Sequence, residues 1–399
     1  MRPLDFDPPP PPWAPWRASI ARQPRMFGSL ATWLRLMGRE GQVDPGYWAR
    51  TLMVTLVSGL TTPLRLWEDF RYRDLLHHAP IPQPPIFILG HWRSGTTALH
   101  YLFARDPRLG VVSTALAAAP GISLTCGRTL QALVAALAPP TRPMDDLPLS
   151  AESPQEEELA ISNLSDWSLY QFFGFPSAAR RLFDATVLFE GRDAPPREAW
   201  RAVYLRLVRL ATEMNGGRRL VLKSPTNTAR IPELLAMFPD ARFIHIHRDP
   251  YPVYDSTRQL WERVLGVTTV QRPDPTEMEQ NIVYFYQMLM ERYFADRSLI
   301  PPGHLAEVAQ TELANDPMGT MRRLYGELSL GKFEDAETAM TETAQRLASH
   351  TGHRPPPGPE TIARVNQAWQ FAFGPPGYPQ REAEGRPALA PPRCSPTVR

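Results

Sequence analysis

Eight residues carry the strongest chemical signal in this chain: Gly90-His91-Trp92-Arg93-Ser94-Gly95-Thr96-Thr97. Two glycines let a backbone fold tightly and approach a ligand closely. Where such a turn opens a helix, its N–H groups converge on an anion at the helix's positive end. Ser94, Thr96 and Thr97 add hydroxyl donors, and Arg93 adds a cation. The spacing G-x-x-x-x-G matches a nucleotide-triphosphate loop, but Thr96 stands where such a loop needs its Lys. The segment therefore predicts a pocket for one phosphate and a neighbouring anionic group.

The elements around it supply the context such a loop requires. Before it runs Pro85-Ile86-Phe87-Ile88-Leu89, a continuous apolar stretch that suits a strand buried on both faces. After it, a helical pattern runs from Thr96 to Arg105 and stops at Asp106-Pro107. The same pairing recurs twice. A strand at Arg219–Lys223 precedes a helix at Asn227–Met237, and a strand at Ala241–His247 feeds a helix at Pro252–Leu265. Alternation of this kind predicts an α/β fold. We expect a P-loop NTPase-like three-layer arrangement with a central parallel sheet and helix-rich N- and C-terminal additions.

Composition frames the rest. Apolar residues make up 43% of the 399, and the net charge is only +2, so no global basic field points to nucleic acid. Two cysteines far apart, Cys126 and Cys394, form neither a disulfide framework nor a metal cluster and suit a reducing compartment. No apolar h-region follows the N-terminus, so a cytoplasmic location is expected. The expected organisation is a Pro-rich disordered tail at 1–18, a helical segment at 19–79, the main domain at 80–375 and a flexible Pro-rich tail at 376–399. Within the helical segment, the apolar stretch from Trp48 to Leu60 is too short to span a bilayer and is expected to face the core. The alternative is a helix lying on the inner face of a membrane, with Arg65, Arg71 and Arg73 near lipid phosphates.

At these residues the chain resembles the sulfotransferases that use 3′-phosphoadenylyl sulfate (PAPS), in particular a bacterial branch. Their 5′-phosphosulfate loop has the form R/K-S-G-T-T after a strand, here Arg93-Ser94-Gly95-Thr96-Thr97. Their 3′-phosphate signature is an Arg at a strand end and a Ser eight residues later, matched by Arg248 and Ser256. Arg248 leaves the strand where its guanidinium can fork onto a phosphate, and Asp249-Pro250 also reads as a helix cap. Lys223, at the end of the strand before Ser224-Pro225-Thr226-Asn227, resembles the sulfate-contacting Lys of several branches. The likeness runs from about Pro80 to Leu330.

The resemblance implies in-line transfer of a sulfuryl group from PAPS to an acceptor hydroxyl or amine, driven by positioning and electrostatics. It assigns the backbone of Gly90, His91, Trp92 and Gly95, with Ser94, Thr96 and Thr97, to the donor's 5′ end. Arg93 and Lys223 fall on the sulfuryl group and leaving oxygen, and Arg248 and Ser256 on the 3′-phosphate. The arrangement requires no metal, and no convincing metal-ligand spacing is present. Two departures stand out. Where many relatives carry a Glu after the loop helix, this chain has Val112-Ser113-Thr114. The general base is therefore open between His91 and Glu156, Glu157 and Glu158, although that acidic cluster also reads as a solvated helix start. Near the C-terminus, His350-Thr351-Gly352-His353-Arg354 stands in for a basic segment that closes the 3′-phosphate site. His245 and His247 should share one face of their strand. Tyr170, Phe172, Phe173, Phe175, Trp261, Tyr284, Phe285 and Tyr286 are candidates for an apolar acceptor pocket, or simply core. The acceptor class stays open among small molecules, lipids and carbohydrates, as does oligomeric state. A Mg·ATP-dependent small-molecule kinase and a non-catalytic nucleotide-binding module are the competing readings.

Overall fold

The computed structural model describes residues 4, 25–137, 149–349, 356–373 and 377–382. The proline run at 8–12, the basic segment 350–354 and the tail beyond 382 lie outside the described residues.

Five strands form one parallel sheet: β1 (Ile86–Leu89), β2 (Leu109–Val111), β3 (Arg219–Lys223), β4 (Arg242–His247) and β5 (Leu305–Ala309). Their order is β2-β3-β1-β4-β5. β1 is central and buried at all four positions, as its unbroken apolar run requires. The period of two sorts side chains between the sheet's faces. Phe87, Leu89, Leu220, Leu222 and Phe243 join one core with Trp200, Tyr204 and Leu207. Ile86, Ile88, Val221, Ile244 and Ile246 join the other, with Leu99 and Phe103 of the helix Thr96–Phe103 and Leu324 of the helix Pro317–Glu327. Helices on both faces complete the three expected layers.

The strand order also fixes where a ligand can sit. The chain leaves β1 toward β2 on one side and leaves β4 toward β5 on the other. Open α/β sheets hold their ligands at such a switch point, beyond the carboxyl ends of the strands. Gly90–Thr97 follows β1, and Arg248 follows β4, so both face that crevice.

A buried ion pair ties a third segment into the same region. Glu158 and Arg230 are both fully buried, with Arg230 Nη1 2.6 Å from Glu158 Oε2. Glu158 also accepts from Ser168 Oγ (2.8 Å), Leu169 N (2.9 Å) and Thr226 Oγ1 (2.9 Å). Arg230 donates to the Thr186 carbonyl (2.7 Å) and lies over the Trp200 ring, 4.7 Å from its centroid. The pair thereby pins the helix Glu157–Leu164 to the turn after β3.

At the C-terminal end, the helix Pro359–Ala368 packs on Pro250–Thr268. Trp369 is fully buried, stacked on Tyr286 at 4.0 Å. Residues 377–382, counted with the flexible tail in the sequence reading, return to the crevice. Tyr378 OH meets His247 Nδ1 at 2.8 Å, and Arg381 Nη2 meets Asp249 at 2.6 Å.

The N-terminal segment forms the helices Leu30–Glu40, Trp48–Arg71 and Arg73–His78. One expectation is reversed here. The helix beginning at Trp48 does pack on the body, but through Arg50, Thr51, Val54, Ser58, Arg65 and Glu68. Its polar side faces inward because its charges find backbone partners there: Arg50 reaches the Thr269 carbonyl, Arg65 the Phe27 carbonyl, and Glu68 the Thr125 N–H. Arg65 is thus buried and not placed to meet lipid.

Removing one member of a buried ion pair strands the other's charge in the interior. Arg230→Met should therefore destabilise the protein by about 3–5 kcal/mol. Adding Glu158→Gln to that variant should restore part of the loss, as read by urea unfolding.

Candidate active site

The loop after β1 is built by close contact with β4. Gly90 has φ +136°, and a Cβ there would lie 2.3 Å from the Ile246 carbonyl oxygen. Gly95 has φ +98°, and its Cβ would lie 2.9 Å from Gln310 Cγ. Both positions therefore need glycine for conformation and for space. Between them, Arg93 holds φ +69°, a conformation that a non-glycine residue keeps only when its surroundings impose it. Two contacts do so. Arg93 Nε donates to Ser256 Oγ at 2.7 Å, and Arg248 Nη1 donates to the Arg93 carbonyl at 3.0 Å.

These contacts add a grouping the sequence did not suggest: Arg93, which the resemblance assigns with Lys223 to the sulfuryl group, donates through Nε to Ser256. Loop and β4 end therefore form one cationic cluster, Arg93, Arg248 and Ser256, beside the N-terminus of the helix Thr96–Phe103. Ser94 and Thr96 are buried in the same turn, and Thr97 is half-buried.

Lys223 sits at the C-terminal end of β3 with 2% of its side chain exposed, and its ammonium pairs with Glu156. The other Glu156 oxygen accepts from Tyr170 OH. Tyr170 in turn accepts from the indole of the loop's Trp92 at 3.1 Å. A carboxylate, an ammonium and a phenol thus meet at the loop. Glu156 arrives there because residues 153–155 run alongside 112–114. Ser113 and Pro154 form an antiparallel bridge, and Gln155 N donates to the Val112 carbonyl at 2.8 Å. A carboxylate is thereby delivered to the very stretch that lacks one in sequence.

The neighbouring glutamates do other work. Both are buried, which overturns their reading as a solvated helix start. Glu157 accepts from Asn227 Nδ2 (2.5 Å) and Tyr204 OH (3.0 Å), while its second oxygen has no partner. Burial pushes its carboxyl up to about 7. Burial would raise Glu158 too, but the Arg230 guanidinium, with Ser168 and Thr226, outweighs it and holds the group below the ordinary carboxylate value.

Burial works against His91 as a base. Its ring is buried between Trp92 and Tyr286, and Nδ1 meets the Trp92 carbonyl at 2.8 Å. Burial lowers its pKa to about 3. His245 and His247 do share a face, with ring centroids 6.0 Å apart. His245 is buried against Tyr293, and His247 is held near 4, by burial first and then by His245. Of the aromatic candidates, Phe172, Phe175 and Phe285 are core, whereas Tyr170 touches Glu156.

Two contacts of the loop region were not read from the sequence. Thr228 Oγ1 accepts the Gly90 N–H at 2.8 Å, clamping the loop's first residue to the turn after β3. Tyr170 was counted only among apolar candidates. The run Ser224-Pro225-Thr226-Asn227-Thr228, rich in hydroxyl and amide groups directly after a strand, was the available signal for the first.

Residues 84–335 match the sequence model of the Sulfotransferase family. Over 388 residues the chain is 31% identical to omega-hydroxy-beta-dihydromenaquinone-9 sulfotransferase Stf3 of Mycobacterium bovis, covering 94% of this chain and 96% of that protein. The protein of the same name from Mycobacterium tuberculosis matches equally. In three dimensions the chain resembles sulfotransferase STF9 from Mycobacterium avium, with TM-score 0.62, 21% identity and coverage of 87% of this chain and 96% of that one. Sulfotransferase STF1 from Mycobacterium tuberculosis H37Rv gives TM-score 0.56 at 21% identity, covering 81% and 87%. At that identity the two structures speak to the fold alone.

The raised Glu157 carboxyl has a consequence for stability. Between the unfolded value of 4.5 and about 7, the folded state keeps a proton that the unfolded state has lost. Stability from this group must therefore fall as pH rises through that window and level off above it. Glu157→Gln should remove this slope and be more stable relative to wild type at pH 8 than at pH 5, measured by denaturant titration at both.

Proposed function

The chain belongs to the sulfotransferase family, and from that premise we propose that it transfers the sulfuryl group of PAPS to the hydroxyl of a lipid-like acceptor. The observation that carries the donor assignment is the cluster of Arg93, Ser256 and Arg248 beside the loop. Two guanidinium groups, a hydroxyl and a helix N-terminus at a strand switch point make a site for a ligand with two separate anionic groups. A bisphosphorylated adenosine has that character, and AMP does not. In this reading Arg248, Ser256 and Arg93 hold the 3′-phosphate side. The loop from Gly90 to Thr97, through its backbone and the hydroxyls of Ser94, Thr96 and Thr97, holds the 5′ side.

Lys223 and Glu156 serve the transfer itself. The acceptor oxygen forms its bond to sulfur as the bond from sulfur to the bridging phosphate oxygen breaks. Glu156 takes the acceptor's proton, and Lys223 offsets the charge that builds on the leaving oxygen. Tyr170 and Trp92 orient the Glu156 carboxylate. The acceptor class is suggested by the Stf3 name, which specifies a hydroxylated menaquinone. An ω-hydroxylated prenyl quinone is the first acceptor to test.

Calorimetry with adenosine 3′,5′-bisphosphate and AMP tests the donor site. Wild type should prefer the bisphosphate. Arg248→Ala should lose that preference at a cost of about 1.5–3 kcal/mol, roughly tenfold to a hundredfold in affinity. Equal binding of both nucleotides by wild type would remove the 3′-phosphate assignment. Glu156→Gln should bind the bisphosphate within a few-fold of wild type yet lower kcat by about 10²–10⁴-fold. Wild-type turnover by that variant would move the base elsewhere.

A further inference from the structure

The helix Trp48–Arg71 is built inside out. Its charged residues before Asp69, namely Arg50, Arg65 and Glu68, are all buried. Its exposed large side chains are Trp48, Leu52, Leu56, Leu60, Leu64, Leu66, Trp67 and Phe70, with Leu60 at 79% and Phe70 at 77%. At about 100° per residue, these eight fall within an arc of roughly 160°, and the buried charges lie on the opposite side. No charged residue before Arg71 lies on the exposed arc. The arc runs about 33 Å along the helix, at 1.5 Å per residue. Leu34 and Leu133, on the two helices packed beside it, are exposed as well.

Isolated exposed leucines are ordinary, but a continuous apolar face of this length marks a surface that something covers. Three features favour a lipid surface over another protein. Tryptophan stands near both ends of the stripe with leucine between, the placement that suits the boundary between headgroups and acyl chains. The exposed charge is segregated at one end, with Arg71 and Arg73 exposed against a single carboxylate in that segment, Asp74. A cationic end complements lipid phosphates. Lastly, no charged side chain before Arg71 interrupts the stripe, whereas protein interfaces mix an apolar centre with polar groups. Among the described residues no helix is long and apolar enough to cross a membrane, so the geometry is that of an element lying along one leaflet.

We propose that the helix Trp48–Arg71 is a membrane-surface anchor, with its Trp48–Phe70 face set into the headgroup boundary and Arg71 and Arg73 against anionic headgroups. This surface is independent of the donor site, and its test needs neither nucleotide nor acceptor.

Full-length protein is floated with vesicles of phosphatidylcholine alone, or with about one third anionic phosphatidylglycerol. Wild type should float with both and more strongly with the anionic vesicles. Leu56→Glu/Leu60→Glu should lower the bound fraction by at least about tenfold at both compositions, since the loss is of apolar insertion. Its far-UV circular dichroism and thermal midpoint should stay those of wild type, because both side chains already face solvent. Arg71→Glu/Arg73→Glu should remove the anionic preference, roughly a fivefold effect per cation, while binding to neutral vesicles persists. Brominated lipid should quench Trp fluorescence less in Trp48→Phe/Trp67→Phe than in wild type. Failure of wild type to float at either composition overturns the proposal. So does flotation unchanged in Leu56→Glu/Leu60→Glu, or lipid-free self-association that the same variant abolishes, which would assign the face to a second copy.

Discussion

The Glu158–Arg230 pair is the constraint on which the active site depends. Taking two charges fully out of water costs several kcal/mol per ion, so the pair contributes little net stability. Its contribution is placement. Each carboxylate oxygen and each guanidinium edge has a defined partner, so the helix start at Glu157 and the turn after Lys223 have one satisfied arrangement. From that arrangement the rest follows by short covalent steps. Two residues before Glu158, Glu156 meets Lys223; two residues before Arg230, Thr228 takes the Gly90 N–H. Apolar packing alone would tolerate slippage at this junction, and the loop would lose its register against β3.

Three successive glutamates show how environment divides one chemistry into three roles. Glu158 is charged because a guanidinium faces it in the interior. Glu157, one residue earlier, has only neutral partners, an amide and a phenol, and is pushed toward the neutral form. Glu156 is the least buried, with 16% of its side chain exposed, and it alone reaches the crevice. Pairs of acids with divergent surroundings are how folds obtain distinct proton chemistry near neutrality. Here the split follows from position along a helix start.

What the sequence disclosed, and what it withheld, follows from how far each interaction reaches. The Gly90–Thr97 turn, Lys223 at the end of β3 and the Arg248/Ser256 spacing were legible because each lies within about eight residues of a strand end. So were β1, a continuous apolar run, and β3 and β4, short apolar-rich runs that each lead into a turn and a helix. β2 has three residues and β5 alternates exposed with buried positions, so neither stood out. Glu156 was undecidable among four candidates. Its place depends on a bridge between 113 and 154, a separation that no local pattern encodes. The helix at Trp48 exposes a different limit. Periodicity identifies an amphipathic helix and its two faces, but it carries no sign. The sign here was set by carbonyl groups of residues 27 and 269 that receive Arg65 and Arg50.

In the cationic cluster, Arg93, Arg248 and Ser256 hold one another. Arg93 in a left-handed conformation costs of order 1–3 kcal/mol and persists only because Ser256 and Arg248 fix it on both sides. Those same hydrogen bonds hold the Arg93 and Arg248 side chains in place, so less ordering cost remains when a ligand binds. The Arg93–Ser256 bond has an ionised donor and is already charge-assisted, so a phosphate bound there would have to add contacts to the cluster and not merely replace that one. The strain is thus a form of preorganisation, and its value rises with the number of anionic groups the ligand presents at once. In the proposed reading, a ligand with two anionic groups engages the loop amides and the Arg93/Arg248/Ser256 cluster at once, and a single phosphate engages only one of them.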